Sequence, residues 1–185
     1  MSVGTAIQAR DELREALSDE VAFERWYGRV MPRVYAYLAA RTRDVQLAEE
    51  LTQQTFVAAI EARRSFDGRS DSVTWLCAIA RHKLADHFRR LDRDEHRVGR
   101  AVVREIELGA GPDRWSSVDE REVIARALDA LPATQRAAVI FIDWDGSTVR
   151  EAARLLGKSH AATQSLLARG RATFRDIYER EARDA

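Results

Sequence analysis

The stretch Thr148–Phe174, TVREAARLLGKSHAATQSLLARGRATF, decides how this chain is read. Val149, Ala152, Ala153 and Leu156 recur at i, i+3, i+4 and i+7, a narrow apolar face suited to close helix packing. Gly157 follows that face where a helix C-terminus needs a residue tolerant of positive φ. Ser159 stands at the N-cap of a second helix with Thr163, Leu166, Leu167, Gly170 and Phe174 turned inward. Helix, tight turn and helix is the arrangement that lays a second helix into the DNA major groove. Arg150, Arg154, Lys158, Arg169, Arg171 and Arg175 face only Glu151 as a local acid, and phosphate neutralisation requires such a surface. A plain helical hairpin with solvated arginines has the same pattern, so the rest of the chain must separate the two readings.

Working outward, the pattern stays helical. Val118, Val123, Ile124, Ala127 and Leu128 mark a helix over about 117–130, and Pro132 suits the first position of another reaching about 143. With the two helices above, residues 117–185 form a four-helix C-terminal domain. Residues 93–116 carry Gly99, Gly109, Gly111 and Pro112 without a sustained apolar stripe and read as a flexible linker. Upstream, three helices are expected over about 19–42, 45–64 and 72–92. Pro32 should perturb the first, Asp44 should cap the second, and Leu47, Leu51, Thr55, Phe56, Ala59 and Ile60 should form the second's buried face. Ser65–Asp71 contains Asp-Gly and no helical period, so it is a loop. Residues 19–92 make the N-terminal domain and 1–18 a tail without an assigned role. The fold class is all-α: two small helical domains joined by a linker.

Composition narrows the function. The formal net charge is +0, yet 44–61 holds four acids and no Lys or Arg, whereas 81–93 and 150–175 are basic. Opposed patches suggest two different partners, one of them anionic. Cys77 is the single cysteine, so an intrachain disulfide is excluded. No run approaches the roughly 18–20 apolar residues of a membrane span, and the N-terminus lacks a signal-like apolar core. A cytoplasmic protein without membrane insertion is expected. Cys77, His82 and His87 invite a metal reading, but five-residue spacing turns each by about 140° on a helix, so they cannot converge. No nucleophile–base pairing and no phosphate-binding glycine loop occurs. Neither an enzyme nor a cofactor is expected.

Three segments, AEELTQQTF (Ala48–Phe56), SFDGRS (Ser65–Ser70) and TWLCAIARHKLADHFRR (Thr74–Arg90), closely resemble region 2 of extracytoplasmic-function sigma factors. ALDALPATQRAAVI (Ala127–Ile140) and the helix-turn-helix resemble their region 4. The resemblance spans roughly 23–178 in the family's order. It implies a dissociable promoter-specificity subunit that binds core RNA polymerase and promoter DNA and is sequestered by an anti-sigma factor. Glu49, Glu50, Gln53 and Gln54 fall where the family meets the polymerase clamp helices, Gln54 replacing a usual acid. Ser65, Phe66, Asp67, Gly68 and Arg69 match the element that captures an unpaired base of the −10 element. Opening a duplex costs a few kcal/mol per base and is offset by pocket and stacking contacts. Phe66 and Trp75 are the available rings, Trp75 being spaced for the core. Arg81, His82, Lys83, Arg89 and Arg90 are candidates for the DNA backbone.

In region 4 the resemblance makes Ser159–Arg175 the −35 recognition helix. His160, Ala161, Gln164, Ser165 and Ala168 face outward, with Lys158, Arg169 and Arg171 near phosphates and Ser159, at the helix's start, completing the −35 set. Gln suits bidentate adenine recognition and Ala a thymine methyl. The helix departs from the family where the common Gly-Thr-Val-Lys is Ala161-Ala162-Thr163-Gln164 and the customary Arg is Leu166. Two other readings fit the residues: a stand-alone regulator binding palindromic duplex DNA, and a helical interaction module without promoter recognition.

Overall fold

The computed structural model describes residues 12–16, 18–98 and 118–184, and every regular element among them is helical. In order these are α1 (Glu20–Thr42), α2 (Val45–Glu61), a 3-10 turn (Arg63–Ser65), α3 (Ser72–Val98), α4 (Val118–Asp129), α5 (Ala133–Val139), a π-helical turn (Ile140–Trp144), α6 (Val149–Leu156) and α7 (His160–Asp184). By its internal contacts the chain divides into two bodies, residues 1–84 and 85–185, with the division inside α3. Most of the predicted linker and of the N-terminal tail lies outside the described residues. Helix α3 runs to Val98, beyond the expected end near 92, and 12–16 form a helical turn that buries Leu13 and Ala16.

Local chemistry sets the ends of the first body's helices. The Asp19 carboxylate accepts from Ala22 N–H at 2.8 Å and starts α1. Arg43, at φ 56°, ends it in the left-handed conformation. Asp44 then caps α2, accepting from Leu47 N–H at 3.0 Å. Helix α1 continues through Pro32; Pro32 and Gly28 are both exposed, so the carbonyl deprived of its partner lies on the wet side. Trp26, Val30, Val34 and Leu38 of α1 are buried, as are Leu51 and Phe56 of α2 and Leu76, Ala80 and Leu84 of α3. The Trp26 indole meets the Phe56 ring edge-on at 5.9 Å and donates from Nε1 to Ser72 Oγ at 3.3 Å. That bond ties α1 to the start of α3.

Ile60 departs from the expected buried face of α2, being 40% exposed. Four residues advance a helix about 40° beyond a full turn, which carries Ile60 past Phe56 and off the stripe containing Leu51, Thr55 and Ala59. It falls instead on the outward line of Gln53 and Val57.

The second body closes on small residues: Ala125, Ala127, Ala133, Ala137, Ala138, Ala152 and Ala153 are all buried. Val139, Trp144, Phe174 and Tyr178 pack around Ile124, Leu128 and Leu131. Pro132 is the N-cap of α5 rather than its first residue. Proline offers no capping oxygen, and the Glu95 carboxylate takes that part, accepting from Ala133 N–H at 3.2 Å. The predicted helix through 143 changes character at Ile140, where the π-turn begins; Gly146, at φ 70°, follows it.

Candidate nucleic-acid interface

The helix-turn-helix is fixed at each of its corners. The Thr148 hydroxyl accepts from Glu151 N–H at 3.3 Å while the Glu151 carboxylate accepts from Thr148 N–H at 2.8 Å. This reciprocal capping box starts α6. Gly157, at φ 63°, ends α6, and Lys158 N–H reaches back to the Ala153 carbonyl at 3.0 Å. Two residues later Ser159 Oγ accepts from Ala162 N–H at 3.1 Å and opens α7. Thr163, Leu166, Leu167 and Gly170 turn inward and are buried, with Phe174 half-buried. His160, Ala161, Gln164, Ser165, Ala168 and Arg169 are exposed on the other side. Leu166, standing where the family has an arginine, is therefore core.

Two cations of the −35 set are engaged inside the second body. Arg171 grips Asp143 with a fork, Nε to Oδ2 at 2.9 Å and Nη2 to Oδ1, and that hydrogen bond raises the guanidinium's pKa further. Lys158 Nζ lies 3.2 Å from Asp92 Oδ2. Arg169 is exposed.

In the first body, the loop before α3 is organised by two aspartates. Asp67 Oδ1 accepts from Arg69 N–H at 3.0 Å, an Asx turn that Gly68 permits at φ 74°. Asp71 caps α3, accepting from Val73 and Thr74 N–H, each at 3.0 Å, and from the Thr74 hydroxyl at 2.6 Å. The Thr74 bond is the main reason that the Asp71 carboxyl is held below its ordinary value. Ser65, Asp67 and Arg69 are exposed, whereas Phe66 is 4% exposed with its ring 4.9 Å from Trp75. In this conformation Phe66 and Trp75 form the floor of the loop. Along α3, His82 and Arg90 are exposed, Arg81 and Lys83 are half-buried, and Arg89 pairs with Asp86.

On α2, Glu49, Glu50 and Gln53 are exposed, and Gln54 donates to Glu50 Oε1 at 2.7 Å. Val57, 58% exposed, and Ile60 continue this face, so the acids and amides border an uncovered apolar strip. The sequence reading missed both residues. Their signal is the i, i+4, i+7 spacing of Gln53, Val57 and Ile60, a second line opposite the buried one. Cys77 is half-buried, and burial raises its thiol pKa. Among the described residues there is no cluster of His, Cys, Asp and Glu able to hold a metal ion, and no helix long and apolar enough to cross a membrane.

Comparison with known proteins agrees with both halves. Sigma-70 region 2 matches residues 26–94 and sigma-70 region 4 matches residues 121–174. The ECF RNA polymerase sigma factor SigC of Mycobacterium tuberculosis is 36% identical, over 75% of this chain and 72% of that protein. The RNA polymerase sigma factor CarQ of Myxococcus xanthus is 30% identical over 90% of this chain and 94% of its own. Among solved structures, the sigma factor RpoE of Bartonella quintana, crystallised with the anti-sigma factor NepR, has the same fold. Its TM-score is 0.56 at 24% identity, covering 85% of this chain and 96% of that one. With sigma-70 regions 2 and 4 matched in order along it and relatives at 30–36% identity over most of its length, the chain belongs to the extracytoplasmic-function sigma factors of RNA polymerase.

Proposed function

We propose that residues 19–92 dock on core polymerase and capture the −10 element, while 117–185 read the −35 element across the linker 93–116. The polymerase face is Glu49, Glu50, Gln53 and Gln54 with Val57 and Ile60. Acids and amides around an apolar strip meet a basic helical partner by paired charges and by burial. Ser65, Asp67, Gly68 and Arg69 form the rim of the −10 site above Phe66 and Trp75. Arg81, His82, Lys83, Arg89 and Arg90 follow the backbone. On α7, His160, Ala161, Gln164, Ser165 and Ala168 face base edges, with Lys158, Ser159, Arg169 and Arg171 toward phosphates.

The observation that supports this reading is the face of α7: a helix capped at the turn, buried on one side and lined on the other by His160, Gln164, Ser165 and Arg169 among alanines. The protein acts by differential binding rather than catalysis. Holding the melted promoter more tightly than the duplex shifts the opening equilibrium. It works beside polymerase in the cytoplasm, and an anti-sigma factor, such as the one bound to the Bartonella protein, sequesters it by covering these faces.

Run-off transcription with purified core polymerase and genomic fragments tests the assignment. Discrete transcripts that depend on the chain support it. Footprints without polymerase, or polymerase binding without initiation, defeat it. Asp67→Ala should reduce promoter opening more than polymerase binding. Gln164→Ala should lower selectivity at one or two −35 positions by about 1–3 kcal/mol, the worth of a bidentate base contact. Unchanged base preference removes Gln164 from the readers.

A further inference from the structure

One flank of α7 borders a cleft that base reading does not explain. It opens between the end of α3, the start of α5 and α7, all within residues 85–185. Its volume is about 660 Å³, inside the range of sites that enclose small molecules. Pro132, Ala162 and Leu166 give it an apolar lining, and two acids and two bases share its wall. From Ala162 to Arg169 it follows α7 for about 10 Å.

Two of the four charges are already matched. Lys158 Nζ sits 3.2 Å from Asp92 Oδ2, and Asp92 Oδ1 accepts from the Thr134 hydroxyl at 3.3 Å. Glu95 and Arg169 have no such partner. The Glu95 oxygens accept from Ala133 N–H at 3.2 and 3.3 Å, and a carboxylate offers about four lone-pair sites. Arg136, whose charge Glu95 does influence, is committed to Asp129. Arg169 donates from Nε to the Ser165 carbonyl at 3.3 Å, so its Nη groups remain, and it has no acidic partner among the described residues. The cleft therefore keeps one unmatched charge of each sign, on different helices. A lone cation would meet Lys158 and Arg169, and a lone anion Asp92 and Glu95. A molecule bearing both signs avoids either repulsion.

We infer that this cleft takes a small zwitterion of dipeptide size, its ammonium group on Glu95, its carboxylate on Arg169 and its apolar body against Pro132 and Leu166. An extended dipeptide reaches about 7 Å, which the length of the cleft accommodates. The guanidinium fork holds a carboxylate by two parallel bonds. A ligand so placed occupies Arg169 beside Ser165 and opposes duplex binding by α7. By linkage each then weakens the other by the same factor. This opposition rests on the proposed −35 reading, whereas the site itself does not.

Isothermal titration of the full chain with leucyl-leucine, without DNA, tests the site. N-acetyl-leucyl-leucine lacks the ammonium group, and leucyl-leucine amide lacks the carboxylate. Wild type should prefer the parent dipeptide to either by at least about ten-fold, the worth of one hydrogen bond to a charged group. Glu95→Gln keeps an acceptor for Ala133 N–H; it should lose the preference over the acetylated dipeptide and retain that over the amide. Arg169→Gln should do the reverse, with circular dichroism verifying that both variants are folded. No binding of leucyl-leucine, equal binding of the three ligands, or unchanged preferences in the folded variants overturns the inference. So does tighter binding of cadaverine or valerate, since the cleft would then serve a single charge. Saturating leucyl-leucine should also weaken wild-type binding to mixed-sequence duplex DNA. Dipeptide binding with these preferences but unaltered duplex affinity keeps the site and removes Arg169 from the −35 set.

Discussion

Where the first body buries Trp26, Phe56, Leu38 and Leu51, the second buries Phe88 and Phe141 amid Ala125, Ala133, Ala137, Ala138 and Ala152, and changes at those alanines are felt differently from changes at the large residues. An aromatic side chain buries about 150–250 Å², so truncating it removes much of the contact around it. Alanines bury little each and hold helices together only by close approach, which leaves no room for an added atom. The charges differ likewise. The first body leaves Glu49 and Glu50 exposed, whereas the second commits Arg136 to Asp129, Arg171 to Asp143 and Lys158 to Asp92. The proposed readers on α7 therefore rest on a scaffold with little room for an added atom at these alanines.

The largest expected effect tests that contrast directly. Arg136 is mostly buried, and burial lowers its guanidinium's pKa while Asp129, 3.2 Å away, works against the shift. Its Nε has no hydrogen-bond partner among the described residues. Asp129→Ala strands this buried charge and should cost about 3–5 kcal/mol, the range for breaking one side of a buried pair. Amide hydrogen exchange should accelerate over 118–156 and stay unchanged over 20–84. Equal acceleration in both segments would break the idea of two separately stabilised bodies.

Gly170 is the next. A Cβ there would stand 3.0 Å from Val139 Cγ2 and 3.1 Å from the Gln135 carbonyl oxygen, tighter than most side-chain contacts, so its neighbours must give way. Gly170→Ala should therefore destabilise the second body by about 1–3 kcal/mol, as overpacking does, despite alanine's better helix propensity. Urea denaturation measures it, and a gain in stability would show that α5 and α7 move apart easily.

How much of this was legible in the chain depends on how local the cause is. Asp44, Gly157 and Ser159 announce their helix ends because a cap is satisfied within three or four residues. Thr148 and Glu151 carry the same kind of signal, a capping box, and it passed unread. The inward and outward faces of α7 followed from helical phase alone. Helix α3 outlasts its apolar stripe, which stops near Leu91, because polar i, i+4 contacts such as His96 with Asp92 continue it. Ile60 is apolar yet exposed, because the helix has rotated off its buried stripe by that position. Least legible were the partners of Arg171 and Lys158, separated from Asp143 and Asp92 by 28 and 66 residues. No spacing rule reaches that far, so a basic stretch cannot reveal which of its cations are already occupied.

On the first body the corresponding probe is the cap of α3. Asp71→Ala removes acceptors for two backbone N–H groups and should cost about 0.5–2 kcal/mol. The folded-state carboxyl is held below its unfolded value, so the cap's electrostatic contribution is present above the unfolded pKa. It is lost as pH falls through the folded value. Wild type and Asp71→Ala should accordingly converge in stability only in strong acid, which denaturation at a series of pH values checks. A difference that persists undiminished there would assign the effect to packing instead of charge.

The smallest effect on stability carries the sharpest information about the readers. Arg171 and Asp143 are 53% and 35% exposed at their side chains, so their fork contributes little to folding despite its geometry. Asp143→Asn should leave stability within about 1 kcal/mol of wild type. What changes is the guanidinium's availability. Losing the charged acceptor frees a cation on the groove side of α7, and one added phosphate contact steepens the salt dependence of duplex binding by about 0.9. Binding of the full chain to mixed-sequence duplex DNA, titrated against salt, reads this out. A steeper slope means that the second body restrains its own non-specific affinity through Asp143 and leaves discrimination to Gln164 and its neighbours. An unchanged slope means that Arg171 points away from the phosphates whether or not Asp143 holds it, and the residue leaves the −35 set.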